Sequence, residues 1–517
     1  MSVSSKRPIV FAVLEYGEFP ELLRVAEILA PTLSNPPVFF FVKHSYRRLA
    51  EDTAELMAKG FCWMDTSGQV QAAPARPSGI KTNRPSSFVI SLHPAETKTP
   101  KVALGRTAGG RVKVWAFLPL AWIESLAKDV FKSARQSGRE FANFLRDRHR
   151  LRQRFGELKS VLAVCNPSVL VVGQDGPASD LSLLLIAAGE LGIPRLIIPF
   201  AMFSLQETAE YANARDDHSV QASALNRLVS KLFPHWVLRY HDKDILRLPG
   251  YRALALETTG MIRGLPWTPL SEPVEAITSD SKITAATLVT LGVAKARLQI
   301  VGSPVHDRLA LHLQNREEVY ERLCEEYDLN PGKPLLVCGW PVNMFAWLSG
   351  RPIAYSSYES LAAAWARILA GVRDQQRVNV IVSIHPKTLD LEYQAAEKQG
   401  LQCRRGSVEE LIAACDIFTT LNGSSITAWA IACSKPVVLF DCFLTRYVDF
   451  SQVPGCTSVE SEDAFSEALQ LLCSCRNHRD DMASRTRQVA AQWGQLDGLA
   501  GTRMIEVFEE VAGQNCT

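Results

Sequence analysis

Residues 381–390, IVSIHPKTLD, and residues 404–441, RRGSVEELIAACDIFTTLNGSSITAWAIACSKPVVLFD, decide the fold. Apolar, β-branched runs predict buried strands at 378–384, 416–420 and 437–441, with a helix at 408–414. The first strand ends at His385, Pro386 and Lys387, and the second ends at a loop that carries Asn422, Gly423, Ser424 and Ser425. Strands that alternate with helices predict a parallel sheet, and in such a sheet these loops lie at the carboxyl edge, where ligands bind.

The loop at 422–425 has the chemistry of a phosphate site. A glycine and two hydroxyl residues at the start of a helix bring backbone N–H groups and the positive end of the helix dipole to one point. In the alternative interpretation, Ser424 and Ser425 only cap the helix.

Composition limits the class of protein. The chain has 517 residues, of which 47% are hydrophobic and 21% charged, so we expect two or three soluble globular domains. A net charge of +2 predicts no nucleic-acid partner. The twelve cysteines show no zinc spacing, which predicts reduced thiols, no metal and a cytoplasmic location. No apolar run reaches the roughly 18 residues that span a bilayer, and the amino terminus predicts a first strand rather than a signal peptide.

The order of elements predicts an α/β protein with two Rossmann-like, doubly wound lobes facing a cleft. Strands are predicted at 9–14, 38–42, 169–172 and 195–199, with helices at 19–29, 45–59 and 181–191. We place a first domain at 1–310, with an insertion at about 66–154, and a second domain at 330–495. The Pro and Gly at 331–332 mark the hinge before the second domain. Residues 496–517 are predicted to form a helix that crosses back to the first lobe.

The insertion has two parts of different character. Residues 66–112 are polar and rich in Pro, Gly, Ser and Thr, which predicts an exposed segment. Residues 113–154 combine Trp115, Phe117, Leu118, Trp122 and Phe131 with a basic run, which suggests contact with a membrane surface or a lipid-linked acceptor. The alternative is a helix that packs on the sheet and faces solvent on its other side.

The segment 276–309 resembles the hinge region of a broad group of nucleotide-sugar enzymes. The group comprises non-hydrolysing nucleotide-sugar 2-epimerases, glycerophosphotransferases of teichoic acid synthesis and capsule-type sugar transferases. The match is a helix ending in Leu-Gly-Val, a short strand and then Gly302, Pro304 and Asp307. His385-Pro386 and Ser424-Ser425 resemble the motifs with which bacterial transferases of this group hold a nucleotide and its phosphates. The resemblance covers about 160–200 and 276–445 and implies the two-lobed GT-B fold.

Departures from the epimerase pattern favour a transferase. The epimerases carry Asp-Ser-Gly-Gly where this chain has 422–425, and an Arg-x-Thr-Glu-Arg-Pro-Glu stretch where it reads DCFLTRY at 441–447. The resemblance therefore implies a nucleotide-sugar-dependent glycosyltransferase. It would move a sugar, or a glycerol-phosphate-like group, from a nucleotide donor to a surface glycan or lipid-linked acceptor. No tightly bound cofactor is expected, and the location is the cytoplasm or the inner face of the membrane. The alternatives are a nucleotide-sugar 2-epimerase or hydrolase, and a catalytically silent scaffold, which the lack of a first-lobe His favours.

Such a transferase needs a base for the acceptor hydroxyl and positive groups for the departing phosphate. Asp175 is the predicted base because it follows an apolar strand, and the weaker candidates are Asp180, Glu207, Glu15 and Glu18. The predicted donor-site residues are Asn343, His385, Pro386, Lys387, Glu410 and 422–425. For Glu410 the alternative is surface ion pairing, and for Asn343 it is a turn. For His385 it is a structural histidine, and for each carboxylate it is a helix cap or a solvated loop.

Overall fold

The computed structural model describes residues 7–43, 45–66, 68–71, 136–200, 203–345, 354–376, 378–385, 388–445 and 448–513. The strands are β1 Ile9–Val13, β2 Val38–Phe41, β3 Cys62–Met64, β4 Val70–Gln71, β5 Val169–Val172, β6 Arg195–Ile197, β7 Val237–Tyr240, β8 Lys243–Leu246, β9 Ala276–Ser279, β10 Leu298–Ile300, β11 Leu335–Gly339, β12 Asn379–Ile384, β13 Gln402–Arg405, β14 Ile417–Leu421, β15 Val437–Phe440 and β16 Cys456–Val459.

The helices are α1 Phe19–Leu29, α2 Leu49–Lys59, α3 Gln136–Cys165, α4 Asp180–Glu190, α5 Leu205–Asn213, α6 Ala224–Leu232, α7 Gly250–Thr259, α8 Lys282–Thr290, α9 Pro304–Gln314, α10 Arg316–Tyr327, α11 Tyr358–Gln376, α12 Asp390–Lys398, α13 Val408–Ala414, α14 Ile426–Ala432, α15 Glu462–Ser474, α16 Arg476–Trp493 and α17 Ala500–Gly513.

The chain forms two compact units. Unit 1 comprises Met1–Phe19, Thr32–Arg195 and Ala212–Val274. Its strands lie in the order β5-β1-β2-β3-β4, with β1 parallel to both β2 and β5. The strand order reverses direction between β1 and β5, as in a doubly wound sheet. A separate antiparallel pair, β7 and β8, lies in the same unit.

Unit 2 comprises Pro20–Pro31, Leu196–Tyr211 and Glu275–Thr517. It contains the strand order β10-β9-β6 and a six-stranded sheet in the order β13-β12-β11-β14-β15-β16, whose neighbouring strands are all parallel. In chain order within the six-stranded sheet this is 3-2-1-4-5-6, the Rossmann arrangement. The reversal lies between β11 and β14.

Burial on both faces explains why the central strands of unit 2 are continuous apolar runs. Val380 and Val382 of β12 belong to the core on one face, whereas Ile381 belongs to the core on the other face. Helices cover both faces of a parallel sheet, so no position along such a strand meets water. The predicted α/β class with parallel, doubly wound sheets is confirmed.

Two sets of predicted features fall outside what the structure tests. The aromatic and polar parts of the insertion between 72 and 135, together with Pro386 and Lys387, lie outside the described residues. The predicted domain limits and the crossing of the last helix stay predictions. Within the described ranges, none of the helices is both long enough and apolar enough to cross a membrane.

Candidate active site in unit 2

The reversal of strand order in the six-stranded sheet places two strand ends side by side. β11 ends at Gly339 and β14 at Leu421, and the two strands pair through Cys338 and Thr419. A Cβ on Gly339 would lie 2.8 Å from the Thr420 hydroxyl oxygen, so a side chain there would force the strand ends apart. The Thr420 hydroxyl instead donates to the Gly339 carbonyl at 3.0 Å. The close approach fixes the floor of the candidate site.

A cavity of about 440 Å³ opens at these strand ends within unit 2. Most of its lining comes from the ends of β11, β12 and β14 and from the loops after β11, β12, β13 and β14, and the rest comes from α1, α5, α13 and α14. The lining residues are Pro20, Arg24, Glu207, Gly339, Trp340, Val342, Met344, Ser383, Ile384, His385, Gly406, Ser407, Val408, Glu409, Thr420, Leu421, Asn422, Gly423, Ser424, Ser425, Ile426 and Trp429. The structure thus brings His385 and 422–425 to one cavity.

Both serines of the loop, Ser424 and Ser425, line this cavity. Gly423 has φ +90°, in the left-handed region that favours glycine, and it turns the chain after β14. Ser425 stands at the N-cap of α14 and makes no side-chain capping hydrogen bond. In the part of the chain that the structure describes, neither the Ser424 nor the Ser425 hydroxyl has a hydrogen-bond partner. The capping interpretation of these serines therefore finds no support for Ser425.

A buried carboxylate holds the Asn422 side chain in place. Asn422 Nδ2 donates to Asp441 Oδ2 at 3.1 Å, while Asp441 Oδ1 accepts from the Thr445 backbone N–H at 2.9 Å and from its hydroxyl at 3.1 Å. Gln206 Nε2 on α5 donates to the Thr445 carbonyl at 2.6 Å. Asn422 Oδ1 is buried and has no partner within the described residues. The network thus fixes which side of the amide faces away from Asp441.

The sequence patterns did not predict two charged residues that lie on the cavity wall. Arg24 of α1 lines the cavity and its guanidinium contacts Glu21 Oε2 at 3.2 Å. Glu409 of α13 also lines it and pairs with Arg308 at 3.3 Å. Both residues lie on helices rather than in a strand-end loop, so no local pattern pointed to them. Arg24 supplies a cation to the wall of the candidate site.

Glu207, one of the weaker candidates for the base, also lines the cavity. Desolvation of its carboxylate, with a smaller contribution from Glu210, raises the pKa of Glu207, although part of the residue is exposed to solvent. A raised pKa moves a carboxyl group towards the range in which a general base works at neutral pH.

Two predicted donor-site residues lie outside this lining. Glu410 is 5% exposed and pairs with Arg404 and Arg322, which is the ion-pairing alternative. Asn343 donates from Nδ2 to Glu392 Oε1 at 3.2 Å and accepts from the Phe345 N–H at 3.3 Å, which is a turn. Their neighbours Glu409, Val342 and Met344 line the cavity instead.

Asp175 lies in unit 1, where its carboxylate connects the loop after β5 to the segment 270–272 by hydrogen bonds. Its Oδ1 accepts from the Leu270 N–H at 2.7 Å and its Oδ2 from the Glu272 N–H at 2.8 Å. It also borders a cavity of only about 10 Å³. Because both oxygens already accept backbone hydrogen bonds, this geometry favours a positioning role for Asp175 over proton transfer.

The other candidate acids of unit 1 are engaged as well. Asp180 pairs with Arg154 at 2.9 Å, and Glu15 pairs with Lys43. Glu18 is 0% exposed and its two oxygens accept from the Leu14 N–H at 3.0 Å and from Gln174 Nε2 at 2.5 Å. Burial raises the pKa of Glu18 to about 7 in spite of these hydrogen bonds.

Comparison with known proteins gave structural similarities alone. No protein-family model matches the chain, and no curated protein matches it. A UDP-GlcNAc 2-epimerase from Neisseria meningitidis bound to UDP-GlcNAc is similar over 97% of this chain and 100% of its own, with 9% identity and a TM-score of 0.48. A glycosyltransferase from Rickettsia africae is similar over 98% of this chain and 99% of its own, with 10% identity and a TM-score of 0.45.

The wall teichoic acid polymerase TagF, soaked with CDPG, is similar over 69% of this chain and 75% of its own, with 11% identity and a TM-score of 0.41. Epimerases, glycosyltransferases and a teichoic acid polymerase are thus among the similar structures.

Proposed function

We propose that this protein is a glycosyltransferase-like enzyme. It moves a sugar, or a glycerol-phosphate-like group, from a nucleotide donor to a glycan or lipid-linked acceptor. The observation that carries the proposal is the cavity at the carboxyl ends of β11 and β14, with His385 and 422–425 on its wall. Its volume of about 440 Å³ is in the range of small-molecule sites.

The chemistry of the wall supports a nucleotide with phosphates. The exposed hydroxyl of Ser425, the half-buried hydroxyl of Ser424 and the glycine turn before them provide donors for phosphate oxygens. Arg24 adds a guanidinium, which binds phosphate oxygens in a bidentate manner. Trp340 and Trp429 give the wall apolar area for a nucleobase.

The transfer requires little more than positioning and charge stabilisation. The acceptor hydroxyl attacks the carbon or phosphorus of the transferred group, its proton goes to a base, and the nucleotide leaves with the bonding electron pair. Arg24 and the 422–425 loop would stabilise the negative charge on the leaving group. Among the predicted carboxylates in the described residues, Glu207 lines this cavity and Asp175 does not, so we assign the base to Glu207.

Nucleotide-induced stabilisation tests the proposal. UDP, CMP, CDP and GDP are added in turn, and the melting temperature is followed. A nucleotide at 100 times its dissociation constant adds about 2.7 kcal/mol, which gives a clear shift. The Ser424→Ala, Ser425→Ala double variant should lose most of the shift, whereas the exposed pair Ser474→Ala, Ser484→Ala should keep it.

Two other results would replace the proposal. Release of sugar or nucleotide from a nucleotide sugar without any acceptor would indicate an epimerase or a hydrolase. No shift with any nucleotide would indicate a protein that lacks the catalytic site, as expected for the scaffold hypothesis.

A further inference from the structure

A second, smaller cavity of about 60 Å³ lies in unit 2 beside the cavity of about 440 Å³ that is proposed to bind the nucleotide. The two share Ser425 and Trp429. The remaining wall comes from α1, from α8 and from the carboxyl ends of β6, β9 and β10, and it includes Glu21, Asp280 and Ser303. A water-sized group needs roughly 10–15 Å³ of such volume, so the second cavity holds a few hydroxyl groups but not a whole nucleotide.

One carboxylate oxygen on this wall, Asp280 Oδ1, accepts no hydrogen bond from the described residues. Glu21 Oε1 accepts from the Ser303 hydroxyl at 2.8 Å, and its Oε2 faces Arg24. The Ser279 hydroxyl donates to the Ser281 carbonyl at 2.9 Å. Asp280 Oδ1, by contrast, is buried and accepts no hydrogen bond from any residue in the described ranges. A buried carboxylate oxygen without a donor is costly unless a ligand supplies one.

The nearby histidine does not provide that donor. His306 is 0% exposed, and its Nδ1 accepts from the Ser303 N–H at 3.4 Å. Burial lowers the pKa of His306, although Asp280 and Glu21 act in the opposite direction. Because Nδ1 accepts, the ring proton lies on Nε2, and this N–H donates to none of the described residues, Asp280 included. Since no described residue donates to Asp280 Oδ1, a ligand of the second cavity must bring that donor itself.

We infer that the second cavity binds hydroxyl groups of the transferred polyol, with Asp280 Oδ1 as their acceptor. The polyol is the sugar or glycerol part of the donor, and the inference rests on the proposed function of the adjoining cavity. The ligand must supply a hydrogen-bond donor and must fit a volume of about 60 Å³. A hydroxyl group does both, since it can donate to Asp280 Oδ1 and is small. Asp280 then distinguishes a nucleotide that carries a polyol from the same nucleotide alone.

Calorimetry with matched ligand pairs tests this assignment. The pairs are UDP with UDP-GlcNAc and CDP with CDP-glycerol, and the pair that binds the parent protein is used. In Asp280→Asn the Kd of the free nucleotide should stay within twofold, while the Kd of its polyol derivative should rise roughly tenfold to a hundredfold, the cost of a hydrogen bond to a charged group. Asp280→Glu should show the same selective loss because the longer side chain fills the cavity.

Retained affinity for the free nucleotide shows that each variant is folded, and the surface variant Asp480→Asn is the matched control. Equal Kd changes for both members of a pair, or no change for either, would overturn the role of Asp280 and leave the proposed function intact. A parent protein that binds none of the four ligands would overturn the proposed function and this inference together.

Discussion

Asp441 is the residue on which the candidate site most depends for its shape. It is 1% exposed, and from the described residues it accepts two hydrogen bonds from Thr445 and one from Asn422, which are themselves buried. In Asp441→Ala the Thr445 backbone N–H and the Asn422 amide lose their acceptor, although both residues are buried. Each such group costs about 1–3 kcal/mol, and breaking a buried charged interaction costs about 3–5 kcal/mol in total. We therefore expect Asp441→Ala to lower the free energy of unfolding by roughly 3–5 kcal/mol.

Asp441→Asn separates stability from recognition. Its amide oxygen still accepts from Thr445, but its NH₂ group then meets the NH₂ group of Asn422. The Asn422 amide must turn over, so that its oxygen accepts from the new amide and its NH₂ points where Oδ1 now lies. We expect a smaller loss of about 1–2 kcal/mol. Nucleotide affinity should change, because the turned amide offers a donor in place of an acceptor.

Hydrogen exchange measured by mass spectrometry is the suitable assay, because it reads local stability in β14 and β15 separately from the rest of a two-unit chain. Protection of the peptides that span 417–445 should fall strongly in Asp441→Ala and slightly in Asp441→Asn. The exposed Asp463 of α15 gives the control variant Asp463→Ala, which should match the parent. If Asp441→Ala kept protection within 1 kcal/mol of the parent, the network would not hold the loop and the reasoning would be refuted.

Three further predictions use the same structure. His385→Ala should weaken nucleotide binding roughly tenfold or more without unfolding the protein, since a hydrogen bond to a charged group is worth about 1.5–3 kcal/mol; unchanged affinity in calorimetry would remove His385 from the site. Arg24→Gln should weaken binding of a nucleoside diphosphate more than that of the monophosphate, and equal losses would count against a phosphate contact. Because the pKa of Glu18 is raised from 4.5 to about 7, its contribution to stability is complete below pH 4.5 and is lost as the pH rises to about 7. Urea unfolding from pH 4.5 to 8 should show a decline of up to about 3 kcal/mol that is absent in Glu18→Gln, and parallel curves would show that Glu18 does not titrate in this range.

The buried strands were predictable because burial on both faces leaves a continuous apolar run. The predicted strand 169–172 and helices 19–29 and 408–414 match β5, α1 and α13 residue for residue, and 378–384 differs from β12 by one residue. The edge strands β13 and β16 were missed. β13 reads QCRR with both ends exposed, and β16 reads CTSV and is half-buried, so neither has the pattern of a core strand.

The site residues that could be predicted are those in the loops that directly follow buried strands. His385 and 422–425 follow apolar strands, and parallel topology brings such loops together whatever the details of packing. Arg24 could not be found in this way, and Asp280 was not predicted although it directly follows β9. Arg24 lies within α1, far along the chain from the six-stranded sheet, and Asp280 is one residue before an ordinary Ser281 N-cap. Their place on the cavity walls depends on tertiary packing.

Asp175 shows why a strand-end acid is an ambiguous pattern. It follows β5 as His385 follows β12, so the local sequence gives both the same expectation. The difference comes from residues about a hundred positions away, since Leu270 and Glu272 return to donate backbone N–H groups to both carboxylate oxygens. A carboxylate that accepts two such hydrogen bonds favours its charged form and has less capacity to take a proton. Asp280 follows β9 in the same way, yet one of its oxygens is left without a donor among the described residues. Hydrogen-bond satisfaction, rather than position at a strand end, therefore separates an acid that holds the fold together from one that can meet a ligand.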